Sequence, residues 1–381
     1  MATPEAFVPV AITRRSGCDE SVHFGAVVGL SSNGSVEFAV GDPTTAVYPR
    51  SSNKPMQAVA MVRAGLRLPP DLLALVCASH DGTPQHVEAA LRILATAGLD
   101  ERSLANTADL PLDDVAAEVV LRGGGGRTAL QMNCSGKHSG MLVTSAINGW
   151  PVDASYLSPE HPLQQHITAT IDELTDEHHS HIGIDGCGSP AHVFSLVGLA
   201  RGFRSIATGE AGSAGDAVYR AMTSHPEMVG GADRDVTNFM RHVPGLMAKD
   251  GADGVFAAAL PDGRAVAVKI ADGANRARPP VMLAALRALN IDTSDVEQLV
   301  AEFVLGHGQH VGEVRAIAQE AAAAWRTLTF MASAQDRLRG IGTLRREDAE
   351  RWGAVGPVAR ASGVHRDARA EDRRRERSRS R

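Results

Sequence analysis

The sequence predicts an α+β fold, and three observations predict it. Apolar runs rich in β-branched residues open the chain and return near residue 247. Helical spacing fills the stretch between them, and "PDGR" at 261–264 joins two apolar runs as a hairpin turn would. Strands on both sides of the helices imply one domain whose first and last strands share a sheet.

Taken in order, "FVPVAITR" and "HFGAVVGL" read as strands, and "SSNGSVEFAV" as a turn leading into a third. "SSNKPMQAVAMVRAGL" follows, with proline at an early helical position and apolar residues at helical spacing. Further helices are expected at "PPDLLALVCA", at "PQHVEAALRILATAG" with Gly98 closing it, at "SGKHSGMLVTSAI" and at "HPLQQHITATIDELT". "RGGGGRT", 122–128, is a flexible loop, and "SHIGIDGCGS" a short buried strand entering a glycine turn. Beyond the hairpin, helices are expected at "PPVMLAALRALN" and "SDVEQLVAEFVLG". From about residue 331 the pattern dissolves into charge-dense sequence ending "EDRRRERSRSR". The domain reading is therefore a folded body at 1–330 and a disordered, Arg-rich tail at 331–381.

Composition narrows the function. The 381 residues are 44% hydrophobic, enough for a large core, and 4% aromatic, which points to Ala, Val and Leu packing. No run of about 18 apolar residues suits a membrane span. The start, "MATPEAFVPV", lacks the basic and apolar regions of a signal peptide. Four cysteines in this length make no disulfide scaffold, so a cytoplasmic location is expected, where cysteines are buried, metal-bound or reactive. Residues 331–381 carry 14 Arg and 8 acids; with −6 overall, the body holds −12. An acidic body argues against nucleic acid as its partner, and the tail reads as a solvated extension.

Lysine is the informative residue. Only Lys54, Lys137, Lys249 and Lys269 occur, against 34 arginines. Arginine stays protonated, whereas a desolvated lysine can lose its proton and act as a base. In "RSSNKP" Ser51 and Lys54 lie three apart, on one helical face, while Ser52 does not fit that spacing. A neutral lysine could activate the serine hydroxyl, as in Ser-x-x-Lys hydrolases; an N-cap serine beside a solvated lysine is the bland alternative. "MAKDG" places Lys249 at a strand and echoes the late K-T-G of such enzymes in the right chain order. In "CASHDG" Ser79 could support the nucleophile or bind substrate and His80 could cap carbonyls, or the stretch is a helix C-cap. In "MNCSGKHSG" and "DGCGS", Cys134 and Cys187 sit in glycine-rich turns. They could meet around zinc, with Asp185 or His138 as a further donor, or one could be a nucleophile. "HHSH" at 178–181 is a weaker metal candidate.

At these residues the chain resembles the rhizobial-type L-asparaginases, the asparaginase II family. "RRSGCDESVHFGAVVGL", "YPRSSNKPMQA", "CASHDGTPQHV", "MNCSGKHSGML", "GIDGCGSPAHVFSL", "MAKDGADGVFAAALPDGRAVAVKIADGANRA" and "GHGQHVGEVR" carry it, colinear from about residue 7 to 316. The resemblance implies a three-layer fold with a central antiparallel sheet, similar to serine β-lactamases and glutaminases. It implies hydrolysis of L-asparagine to L-aspartate and ammonia. It implies two Ser-Lys pairs: Ser51 with Lys54, and Ser79 with Lys249, for which Lys269 is the nearby competitor. It implies zinc held by Cys134, Lys137 and Cys187, orienting substrate rather than making the nucleophile. Arg50, His80, His138 and Asp185 become the candidate substrate-binding residues. A homodimer is expected. The rivals are another Ser-x-x-Lys amidohydrolase, such as a glutaminase or a β-lactam hydrolase, and a catalytically silent zinc-binding protein. The tail has no counterpart in the family pattern.

Overall fold

A computed structural model describes residues 3–317; the tail expected at 331–381, and the boundary at 330, lie outside them. The chain opens as a meander of β1 (Val8–Arg15), β2 (Cys18–Leu30) and β3 (Val36–Val40), then the two-residue β4 (Ala46–Val47). A 3-10 turn over Arg50–Asn53 runs into α1 (Lys54–Arg63). Next come α2 (Pro70–Val76), α3 (Pro84–Ala95), α4 (Asp114–Arg122), α5 (Ser135–Ile147) and α6 (Pro162–Thr175). After β5 (His181–Ile184) and β6 (Pro190–Ser195), the chain makes α7 (Leu196–Ala207), α8 (Ala214–Ser224), α9 (Pro226–Val229) and α10 (Asp235–His242). It returns to strand as β7 (Met247–Gly251), β8 (Val255–Ala259) and β9 (Ala265–Ile270), and closes with α11 (Arg278–Ala288), β10 (Glu302–Gly306) and β11 (Gln309–Ala316).

The main sheet runs β10-β11-β1-β2-β9-β8-β7, with β3 also on β2, and every pairing is antiparallel. Ala11 of β1 faces Ala316 of β11, so strands from the two ends do share the sheet. Every residue of β7 and β8 is buried, and α7 and α11 both pack on β8 and β9. A strand buried at every position has both faces covered, which makes the helix–sheet–helix layering. The hairpin turn closes with Leu260 N–H on Arg264 O, and Gly263 supplies φ +92°. Among the described residues no helix is long and apolar enough to cross a membrane.

Two expectations fail. "SHIGIDGCGS" is not a buried strand: β5 is the edge of a small sheet β4-β6-β5, and Ile184 is 85% exposed. "SDVEQLVAEFVLG" is not a helix: a 3-10 turn at Glu297–Val300 gives way to β10, because pairing with β11 overrides local spacing. The helix α4, just before the glycine loop, has no buried residue and left no expectation.

One contact sets the spacing of the interior. A Cβ on Gly136 of α5 would fall 2.5 Å from the carbonyl oxygen of Leu75 in α2. The bare glycine lets α5 seat directly on α2, so Ser135 at its start meets His80 in the segment that follows α2, at 2.9 Å.

Candidate active site

That segment carries Ser79. Its backbone N–H donates to Val229 O at 3.0 Å, that of His80 to Asn133 O at 3.1 Å, and that of Asp81 to Gly230 O at 2.8 Å. Three consecutive amides are thus satisfied by neighbouring loops, and Ser79 is pinned without being in a helix or strand. Lys54, buried at the start of α1, donates to Ala78 O (2.5 Å), Ser79 Oγ (3.1 Å) and Cys134 Sγ (3.0 Å). Lys249, buried in β7, donates to Ser79 Oγ (3.0 Å), Asp250 O (2.7 Å) and the Asp250 carboxylate. One hydroxyl therefore lies between two lysine nitrogens. Burial lowers the Lys249 amine to about 8; the Lys54 and Arg234 charges push the same way, and Asp250 opposes them. Burial would raise Asp250, but Lys249, Arg234 and Arg278 hold it well below the usual carboxylate range.

The opposite wall is sulfur. Lys137 of α5 donates to Cys187 Sγ (3.2 Å) and Ser189 Oγ (2.7 Å). Cys134 hydrogen-bonds to Cys187, which drives the Cys187 thiol far down against the effect of burial; Lys137 and His138 help. The same bond, then burial, raises Cys134. Of the two, Cys187 is the sulfur whose thiolate is favoured, and Cys134 also donates to Asn133 Oδ1 at 3.0 Å. Burial would lower Lys137, but Cys187, Cys134 and Asp185 outweigh it and its ammonium is favoured. Among the described residues no group of three or more His, Cys, Asp or Glu could hold a metal ion. A metal here would need the lysine as its third donor.

The rim is ionic. Arg50 lies at φ +50°, a left-handed conformation that costs a non-glycine residue about 1–3 kcal/mol. Its guanidinium pairs with Asp185 (2.9 Å) and with Asp253. Ser51 follows, half-buried, and Ser52 turns inward, its Oγ donating to Lys249 O at 3.0 Å.

The sequence-derived candidates distribute as follows. Lys54, Ser79, Lys249 and Cys134 are joined by direct hydrogen bonds, as are Lys137 and Cys187. Spacing coupled Lys54 to Ser51, but the bonded partner of Lys54 is Ser79; a side chain that long reaches past its own turn to the end of the next helix. Lys249 rather than Lys269 meets Ser79; Lys269 donates to the Asp253 carbonyl. His80 and His138 are fully buried and engaged by protein: His80 by Ser135 and the Gly82 N–H, His138 by Tyr156 and Ser189. In "HHSH", His178 and His179 pair with Asp172, away from this cluster. Sequence reading missed Asp250, Arg234 and Ser189. Asp250 stands next to Lys249 in "AKDG" and Ser189 two residues after Cys187, so adjacency was their signal; "VGGADRD" offered only a double glycine before a charged run.

A family profile described as L-asparaginase II matches residues 11–316. A second, described as respiratory-chain NADH dehydrogenase, 49 Kd subunit, matches residues 308–374, mostly outside the described residues. No curated protein matches the chain. Among solved structures, Mglu in its native form is 15% identical, with 74% of this chain and 69% of that chain covered and a TM-score of 0.39. A β-lactamase from Mycobacterium bovis is 14% identical, with 70% and 95% covered and a TM-score of 0.35. Likenesses this loose say nothing about chemistry.

Proposed function

The chain belongs to the L-asparaginase II family, and on that premise we propose that it hydrolyses L-asparagine to L-aspartate and ammonia through a serine nucleophile. The observation that carries the reading is Ser79 Oγ within 3.1 Å of Lys54 Nζ and 3.0 Å of Lys249 Nζ. A hydroxyl so placed can pass a proton between two amines.

Ser51, half-buried beside the rim, is the nucleophile; Ser79, at 6% exposure, is the relay behind it. Lys249, lowered to about 8, is the amine that can stand neutral. It takes a proton from Lys54 through Ser79, and the freed Lys54 amine accepts the Ser51 proton as the Ser51 oxygen attacks the side-chain amide carbon. The Lys54–Ser51 contact forms with substrate, since catalytic hydrogen bonds tighten in the Michaelis complex. The proton then travels through Ser79 to the leaving nitrogen, the C–N bond breaks and ammonia departs. Water attacks the ester on Ser51 and releases L-aspartate. The Arg50–Asp185 pair suits the amino-acid end of the substrate: the guanidinium takes the α-carboxylate and the aspartate the α-ammonium.

Cys134, Lys137 and Cys187 fit zinc, which takes sulfur and nitrogen donors: two sulfurs and an amine already meet, and Cys187 already favours its thiolate. Bound there, zinc would hold the sulfur wall in shape and contribute positive charge for orienting substrate.

The test is acyl-enzyme trapping with L-asparagine in Ser51→Ala and Ser79→Ala. Ser51→Ala should form no ester, and Ser79→Ala should form it slowly. An ester on Ser79 in the Ser51→Ala protein reverses the two roles; no ammonia release by wild-type protein refutes the reading.

A further inference from the structure

The segment Val229–Arg234 is built against the Ser79 loop. Val229 O and Gly230 O take the Ser79 and Asp81 amides. A Cβ on Gly231 would fall 1.6 Å from Asp81 Oδ2, so only glycine admits that carboxylate. Arg234 then reaches both ways: Nη1 donates to Asp81 Oδ1 (3.2 Å) and Nη2 to Asp250 Oδ2 (2.6 Å). Asp250 Oδ1 holds Lys249, and Lys249 holds Ser79. With the chain itself linking Ser79 to Asp81 through His80, these contacts close a ring: Ser79, Asp81, Arg234, Asp250, Lys249.

We propose that Arg234 is a positioning residue that fixes Lys249 against Ser79 by bridging Asp81 and Asp250. The inference rests on the amidohydrolase reading given above. A planar fork can span two carboxylates at once, and a lysine ammonium cannot do so with the same geometry. The neighbouring Arg278 is no substitute: its Nη1 donates to Gly251 O (2.7 Å) and lies 3.5 Å from Asp250. Without the bridge, Asp250 is left to Lys249 and the longer Arg278 contact, and the loop bearing Ser79 loses its ionic tie to β7. The groups that face the Lys249 amine are Lys54, Asp250 and Arg234, with the buried Cys77 thiol nearby.

The experiment uses the full chain, with Arg234→Gln and Arg234→Lys. Ammonia release from L-asparagine is followed across pH, alongside melting temperature. The four lysines are read individually by NMR of protein labelled at lysine Cε. In both variants kcat should fall on the order of 10²-fold, the effect of a small misplacement, with KM little changed. The Lys249 titration should move up by roughly one pH unit in Arg234→Gln, since a repelling cation is lost and its carboxylate partner is kept. Arg234→Lys should recover melting temperature and not rate. An unchanged kcat and an unmoved Lys249 titration, or full rescue of rate by lysine, overturns the proposal. If Arg234→Gln does not fold, Asp81→Asn frees one end of the bridge. There kcat should fall with KM little changed, while the Lys249 titration stays in place because the Arg234 cation remains on Asp250, and an unchanged kcat overturns the proposal. A wild-type protein that releases no ammonia refutes the functional reading alone, and the NMR titration then decides the bridge.

Discussion

Lys249 and Lys137 are both fully buried, and each donates to a serine hydroxyl, at 3.0 Å and 2.7 Å. Yet Lys249 is lowered to about 8 and Lys137 is raised. Lys249 looks across Ser79 at Lys54, a second lysine, and its carboxylate is shared with two arginines. Lys137 faces two sulfurs and Asp185. Burial alone therefore does not decide whether a lysine is a base or a cation; the sign of what surrounds it does. One wall of the site is arranged to release a proton, the other to hold negative sulfur, and a few residues separate them.

The comparison is broken most directly at Lys54, which touches both walls. Lys54→Arg keeps the charge and removes the base, so asparagine turnover should fall on the order of 10⁴-fold in a folded protein. Retention of most activity would show that the serine wall does not use an amine for its proton. On the sulfur wall, elemental analysis should find zinc in the wild-type protein and none in Cys187→Ser, with affinity falling as pH drops because Lys137 must give up its proton to bind. Absence of zinc from the native protein would leave Lys137 as a plain counter-charge.

Stability against pH gives a smaller effect with opposite signs on the two walls. Lys249 falls from 10.5 to about 8 in the fold, so the folded state sheds that proton first. Relative to Lys249→Met, wild-type melting temperature should rise between pH 8 and 10.5. The raised Lys137, in metal-free protein, contributes stability that is present below 10.5 and lost as pH climbs through its higher folded value. Matching pH slopes for Lys249→Met and Lys137→Met, each taken against wild type, would contradict the comparison. The smallest effect belongs to Lys269→Gln, whose amine meets only the Asp253 carbonyl among its hydrogen bonds. Its stability should stay within about 0.5 kcal/mol and its turnover near wild type. A large loss of rate would transfer the second-lysine role to it.

Much of this was legible in sequence. Regular local signals survive into structure: Pro55 starts α1, Gly98 closes the turn after α3, and Asp262–Gly263 turn β8 into β9. Rare residue types led to the site, since a chain of arginines exposes its lysines. What spacing could not give was partnership. The i, i+3 rule sees only one helix, and Lys54 bonds across to Ala78 and Ser79 in the loop after α2. Arg234 was invisible because its two carboxylates, Asp81 and Asp250, are 153 and 16 residues away. The strand at β10 was hidden for the same reason, as its pairing with β11 is a property of the sheet and not of "AEFVLG".

The seat of α5 on α2 has a consequence for how this protein can vary. Gly136 brings the helix carrying Lys137 onto the Leu75 carbonyl, four residues ahead of Ser79. A single added methyl would wedge the two walls apart, and no adjustment on one side alone would restore the other. The two walls are consequently coupled through this one contact. A laboratory selection that shifts the sulfur wall should need compensating changes on the serine wall. Useful changes should therefore be found as linked sets along this seam or as replacements at the Arg50 rim, which pairs with Asp185 and Asp253 away from the contact.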